Sequence, residues 1–444
     1  MTKRALEVWI LAAVILFGSV LLAGCINPMV QDSSPSFPSP VTAVPGDTSG
    51  PVSAVNITEY ERCVADANNR FAFDLYETLS KDPDSTGCNL FFSPFSLSSA
   101  MAITFEGARG KTAEEIRTVF HFPADSATLR QGFSLINAGI NRNDSAVTLR
   151  SANALWAEQT SPFLPGYVDI AEQYYNAKTT SLDFISQPDP SRITINQWVE
   201  KQTDEKIKDL VPPGSIDPLT RLVITNAIYF KGDWENRFDR NKTADADFRT
   251  ASGKTVRVPM MQSTENDAVY LYAENEDLQM LSMPYNHNDG KKISMVVILP
   301  RDDDPGAGGS SLDRETLAAL KQSATSRRVM VYFPKFTLDS KRSLSVMLKG
   351  MGMPAAFTDA ADLSGMDGMR DLFISDVFHQ AVIEVNEEGT VAAAATAVIA
   401  GGSASPAAEP VPVFIADHPF IFIIQDDQND MILFMGRVVD LPGS

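Results

Sequence analysis

Close to the end of the chain, two apolar runs, FIFII (420–424) and MILFMGRVV (431–439), flank the polar turn QDDQND. Short runs of β-branched and aromatic residues on either side of such a turn read as a buried hairpin, and a buried hairpin needs a core to lie in. Earlier stretches carry the same signal: RLVITNAIYFKG (221–232), ISMVVILP (293–300), RVMVYFPKFTL (328–338) and AVIEV (381–385). Ahead of them the pattern is helical, with Phe71, Leu75 and Leu79 recurring at four-residue spacing. Helices first and strands later, with no Pro/Gly/Ser linker between, predict one α+β domain with mainly antiparallel sheets.

The 444 residues are 44% apolar, enough for one large core or two ordinary ones. A net charge of −19 argues against a nucleic-acid partner, because phosphate binding needs a basic stripe. It suits an acidic, soluble, extracellular surface.

The first residues stand apart. Lys3 and Arg4 precede an apolar run from Val8 to Leu22, and the chain continues Ala23-Gly24-Cys25. A basic start, a run too short for a comfortable membrane span and small residues at the cut predict a signal peptide over 1–24. The cysteine at the cut resembles the lipobox of prokaryotic lipoproteins, in which Cys25 would receive the lipid. An ordinary secretory signal and an uncleaved anchor are the alternatives. Residues 25–56 are rich in Pro, Ser and Gly with little charge and predict a tether, leaving 57–444 as the folded domain. Cys63 and Cys88 remain, and a helix of about 18 residues spanning about 27 Å between them favours free thiols.

Catalytic signatures are missing. The sequence holds no G-x-S-x-G, H-E-x-x-H or C-x-x-C. Gly107-Ala108-Arg109-Gly110-Lys111-Thr112 fails as a phosphate loop, because Phe105 stands where the first glycine belongs, and DDDPGAGG (302–309) lacks the closing glutamate of a calcium loop. No metal site and no cofactor is expected. Of His121, His287, His379 and His418, the one in SDVFHQAVIEV, His379, reads as a buried hydrogen-bonding residue rather than a base. The chain is not expected to be an enzyme.

The segment EEGTVAAAATAVIAGG (387–402) has almost nothing large enough to fill a core. Read as a strand, it presents Thr390, Ala392, Ala394 and Thr396 on one face, all small and uncharged. That face would fit between two strands over a packed core, where bulk or charge would obstruct it. An alanine-rich surface helix or a flexible linker is the plainer reading of the same residues.

VFHQAVIEVNEEGTVAAAAT (377–396) resembles the reactive-loop hinge of the serpin family. Further segments resemble serpin sequence in family order: NLFFSPFSLSSAMAITFEGARGKTAEEI (89–116), INQWVEKQTDEKIKDLV (195–211), LVITNAIYFKGDWENRF (222–238), VPMM (258–261), FPKFTL (333–338), GMGMPAAF (350–357), ADHPFIFII (416–424) and LFMGRVVD (433–440). The resemblance spans 57–444 and implies the serpin fold, helices around three mainly antiparallel sheets with an exposed reactive-centre loop. It implies a shutter of Ser93, Ser96, Asn226 and His379, a breach of Trp234 with Lys335 and Glu387 as an ion pair, and a hinge of Gly389, Thr390, Val391, Ala392, Ala393, Ala394, Ala395 and Thr396.

The resemblance further implies a protease inhibitor. A target serine protease, or a cysteine protease, cuts the loop and is trapped as an acyl-enzyme when the loop enters the central sheet. Family spacing from Gly389 puts the reactive bond between Ser403 and Ala404. Small residues around it favour an elastase-like or subtilisin-like target over trypsin. Between Gly389 and Pro419 the loop is longer than common, and Val391 stands where many inhibitory members carry glutamate. Segment 126–142 has only Arg130 and Arg142 as positive charges, so heparin binding is not expected. The expected state is a monomer, with the membrane met only through a lipid anchor. A non-inhibitory carrier, chaperone or structural serpin is the alternative; such members tend to have bulky, charged or proline residues in the hinge.

Overall fold

The computed structural model describes residues 54–140, 147–264, 268–287, 292–301, 312–390 and 410–443. Helix α1 (Ala54–Lys81) begins just ahead of the boundary expected for the folded domain and buries Phe71, Leu75 and Leu79. Helix α2 (Pro94–Gly107) is buried on nearly every side, which places it inside the core rather than on its surface. Ser93 starts it: its Oγ accepts the Ser96 N–H at 3.1 Å, and Pro94 occupies a first-turn position that needs no N–H partner.

Three sheets carry the rest. The seven-stranded one is antiparallel throughout, in the order Leu90–Phe92, Met431–Val438, Phe420–Asp426, Ile293–Pro300, Leu278–Pro284, Val269–Glu274 and Thr325–Arg328, so the terminal hairpin forms as expected inside a sheet. A four-stranded sheet runs Val413–Ile415, Met330–Pro334, Thr255–Ser263, Ala244–Arg249. The central sheet has six strands, labelled in chain order β1 (Val147–Glu158), β2 (Lys178–Leu182), β3 (Leu222–Asp233), β4 (Phe336–Ser343), β5 (Ile374–Val385) and β6 (Gly389–Thr390). They lie in the order β4-β5-β3-β1-β2, with β6 added to β3. The run 328–338, which reads as one strand, is shared among three: Arg328 ends a strand of the seven-stranded sheet, and Lys335 separates a strand of the four-stranded sheet from β4.

The central sheet divides two apolar layers. Ile224, Ile228 and Phe230 of β3 join the main core with α1, α2 and the terminal hairpin. The alternate residues Val223, Ala227 and Tyr229 pack with Ile195 and Val199 of the helix Pro188–Gln202 and with Ile207, Leu210 and Val211 beyond it. Apolar cover on both faces explains why β3 reads as a continuous apolar run rather than an alternating one.

Strand direction matters most at one seam. β3 and β5 run parallel, paired from Ile374↔Leu222 to Val382↔Tyr229. Above that rung their pairing ends. There β6 pairs antiparallel with β3, Gly389↔Asp233 and Thr390↔Gly232. On its other side β3 is antiparallel to β1.

Both remaining cysteines are free thiols, Cys63 half-buried and Cys88 exposed. Among the described residues no helix is long and apolar enough to cross a membrane.

Candidate functional site

Ser93, Ser96, Asn226 and His379, far apart in the sequence, meet in one buried network halfway along the seam. The start of α2 supplies the serines, β3 the asparagine and β5 the histidine. The Ser93 N–H donates to His379 Nε2 at 3.2 Å, so Nε2 is the unprotonated nitrogen. The Nδ1–H then donates across the seam to Asn226 Oδ1 at 2.5 Å. Asn226 Nδ2 donates to Ser96 Oγ (2.6 Å) and to Asn153 Oδ1 (2.5 Å). Ser93 Oγ donates to Leu433 O at 2.6 Å, tying the network to the terminal hairpin.

Burial disfavours the imidazolium and, with Arg342 nearby, outweighs the bond to Asn226; the His379 pKa falls to about 3. His379 is therefore a neutral structural hydrogen-bonder at physiological pH and no general base. Asn153 was missed from the sequence. It sits directly opposite Asn226 in the β1–β3 ladder, and its one signal is an amide inside the strand-like SANALWAE.

A second cluster closes the top of the seam. Glu387 accepts from Lys335 Nζ at 3.0 Å and from Thr243 Oγ1 at 2.8 Å. Burial pushes its pKa up, but those bonds and one from the backbone prevail and hold it below the usual carboxylate value. Lys335 is the residue that breaks the 328–338 run, which frees its side chain to reach across. Trp234 stacks on Tyr285 with ring centroids 4.5 Å apart, and its Nε1 donates to Asn386 O at 3.0 Å. The backbone N–H groups of Trp234 and Phe238 take Glu388 O and Glu387 O, both at 2.9 Å.

These contacts fix the turn Asn386–Gly389 that leads into β6. Gly389 has φ +141°, and a Cβ there would lie 2.1 Å from Gly232 O, so only glycine lets β6 approach β3 this closely. Of the hinge residues, Gly389 and Thr390 form β6. Val391 to Thr396, the bond Ser403–Ala404 and Cys25 lie outside the described residues. Among the described residues no group of three or more His, Cys, Asp or Glu is placed to hold a metal ion.

The family described as Serpin (serine protease inhibitor) matches residues 66–441. Leukocyte elastase inhibitor of Bos taurus is 41% identical over 379 residues, 84% of this chain and 98% of that protein. An uncharacterized serpin-like protein of Thermococcus kodakarensis is 38% identical over 429 residues, covering 95% of this chain and 96% of its own. Among solved structures, uncleaved ovalbumin superposes with a TM-score of 0.75 at 28% identity, over 85% of this chain and all of that one. Human thyroxine-binding globulin gives 0.76 at 27% identity, over 87% of this chain and 100% of its own.

Proposed function

The chain belongs to the serpin family, and from that footing we propose that it inhibits serine proteases by inserting its own cut loop between β3 and β5. One observation carries the reading: the parallel β3–β5 seam opens above Tyr229, and there β6 already lies antiparallel to β3, in the direction that an inserted strand takes. Opposite residues of an antiparallel pair share a face. Continued in the same register, Ala392 would come opposite Phe230, Ala394 opposite Ile228 and Thr396 opposite Asn226, all on the main-core side. The small side chains thus answer to a packed layer with no room for bulk. The run from Gly389 to Ser403 covers about 45 Å when extended, enough to carry a bound protease along the sheet and distort its active site.

In this reading Ser93, Ser96, Asn226 and His379 are the shutter that must part, Trp234, Lys335 and Glu387 the breach where insertion starts, and Gly389–Thr396 the hinge. The target attacks the carbonyl of Ser403, its catalytic serine forming an ester while the amide to Ala404 breaks and the new amine leaves with the carboxy-terminal fragment. Kinship with a leukocyte elastase inhibitor and the small residues at the bond support an elastase-like or subtilisin-like target. Residues 1–24 act as a signal, Cys25 as a lipidated anchor and 25–56 as a tether, holding the domain outside the cell. The experiment is incubation of the chain with a panel of serine proteases: a denaturant-resistant complex on a gel supports inhibition, and cleavage without any complex across the panel removes it.

A further inference from the structure

The strand that follows the reactive loop carries apolar side chains on an open face. It is Val413–Ile415, the edge of the four-stranded sheet, paired parallel with Met330–Pro334 in the register Met330↔Val413, Val331↔Phe414 and Tyr332↔Ile415. Successive side chains of a strand alternate between the two faces of its sheet, and side chains opposite each other share one. Val331 and Phe414 point inward and are fully buried. Met330, Tyr332, Val413 and Ile415 therefore share the outer face, the first two half-buried, Val413 39% and Ile415 40% exposed. Gln262, opposite Tyr332 on the next strand, begins a polar border.

Neighbouring apolar side chains on an open, polar-bordered face mark a place where another surface lies. That surface is not a further strand, because the edge is guarded. Pro410 and Pro412, just ahead of the strand, have no N–H to give, and Gln279 Nε2 of the seven-stranded sheet donates to Val413 O at 3.1 Å. Edge pairing with a second copy is thereby disfavoured, and the face is what stays open.

What covers it follows from the length of chain beside it. The described residues stop at Thr390 and resume at Pro410, and the reactive bond proposed above joins Ser403 to Ala404. Nine residues separate Ala404 from Val413, a reach of at most about 32 Å. Part of that length lies inside the cleft of a protease holding the bond, and such a domain is about 40 Å across, so its rim reaches the face. We propose that Met330, Tyr332, Val413 and Ile415 form a docking surface for the target protease, meeting apolar side chains on the rim of its active-site cleft. The proposal rests on the inhibition reading given above. It adds a second point of recognition, outside the loop, that acts on encounter rather than on insertion. A longer-lived first complex speeds association and leaves untouched the later race between insertion and hydrolysis. Selectivity among proteases that all accept small residues at the bond then comes from this face.

The test is a rate. Val413→Thr combined with Ile415→Thr keeps the β-branched shape that suits a strand while making the face polar. With each protease of the panel that forms a covalent complex with the native chain, the association rate is measured beside the ratio of complex to cleaved inhibitor. The double variant is expected to associate about five-fold more slowly, at an unchanged ratio and an unchanged unfolding temperature. Val346→Thr, at an 80% exposed residue just past the end of β4, keeps the native rate. A free peptide of residues 398–415 and its doubly substituted form should be cut equally fast, which separates docking from recognition inside the cleft. A native association rate for the double variant, an equal loss with Val346→Thr or an equal loss in the peptide overturns the docking surface. So does a native chain that sediments as a dimer and is made monomeric by the same two substitutions, which would give the face to a second copy. If no protease of the panel forms a complex with the native chain, the inhibition reading falls, and the docking surface with it.

Discussion

His379 and Asn226 face each other across the parallel seam, Nδ1 to Oδ1 at 2.5 Å, with both side chains buried. The bond joins β5 to β3 directly, where any strand arriving between them would have to pass. Separating the two strands by another strand's width breaks it without exception.

Asn226→Ala leaves the buried His379 Nδ1–H without its partner, while Asn153 Oδ1 keeps the bond from Ser96 Oγ at 3.1 Å. The expected cost is about 1–3 kcal/mol of native stability, since an unsatisfied buried donor forfeits its full desolvation. Equilibrium denaturation measures it. The same variant is expected to convert on warming, without protease, to a loop-inserted form at a lower temperature than the native chain. A variant as stable and as slow to convert as the native protein would remove the seam network from the mechanism.

Acidification is expected to weaken the fold through His379. Its pKa of about 3 lies below the ordinary 6.5, so between those values only the unfolded chain binds the proton. Stability therefore rises with pH across that window and is lost as pH falls, by about 2 kcal/mol at pH 5. His418 acts in the opposite sense: burial lowers its pKa, but bonds to Asp417 and to Pro300 O prevail and raise it, so its contribution is lost as pH rises. Comparing unfolding at pH 7 and pH 5 for the native chain and His379→Asn isolates the first effect. The native chain should lose more than the variant, and equal losses would contradict the assignment.

Thr390→Arg is expected to turn the inhibitor into a substrate. Position 390 lies opposite Gly232, where even a Cβ would crowd Tyr285, and an inserted arginine would bring an unpaired charge beneath the sheet. A penalty of about 3 kcal/mol slows insertion roughly a hundredfold, long enough for the acyl-enzyme to hydrolyse. The measurement is the ratio of covalent complex to cleaved inhibitor on a gel. An unchanged ratio would sink insertion through this face.

Elastase-like or subtilisin-like proteases should form the complex, while trypsin and thrombin should not, because Gly389–Ala408 contains no Lys or Arg. Mass spectrometry of the released fragment is expected to find Ala404 at its start. A start outside 404–406, or a covalent complex with trypsin, contradicts the assignment.

Cys25→Ala should move the protein from the membrane fraction to the soluble one. If it stays as firmly bound, an uncleaved amino-terminal helix is the better account.

Much of this is legible in the sequence, and for local reasons. Four-residue spacing marked α1, and the apolar runs around QDDQND closed the last hairpin. What stayed hidden is non-local. Nothing near Leu222 says that its strand will lie parallel to one beginning at Ile374. Asn153 joins the seam network only because the β1–β3 register sets it opposite Asn226. Lys335 looked like a charge inside one strand, and only the two sheets on either side of it show a break. The partners of Trp234, Tyr285 and Asn386 O, belong to segments whose sequences carry no mark of each other.

The parallel pairing of β3 and β5 has one more consequence. A strand received between them is antiparallel to both and gains two hydrogen-bonded ladders where one stood before. Such an exchange runs downhill and has no return stroke, so each molecule would work once. On the insertion reading its behaviour would be that of a reagent rather than a reversible ligand: the amount of protease silenced would follow the number of copies made, not a dissociation constant. Control over it would then sit with synthesis and supply.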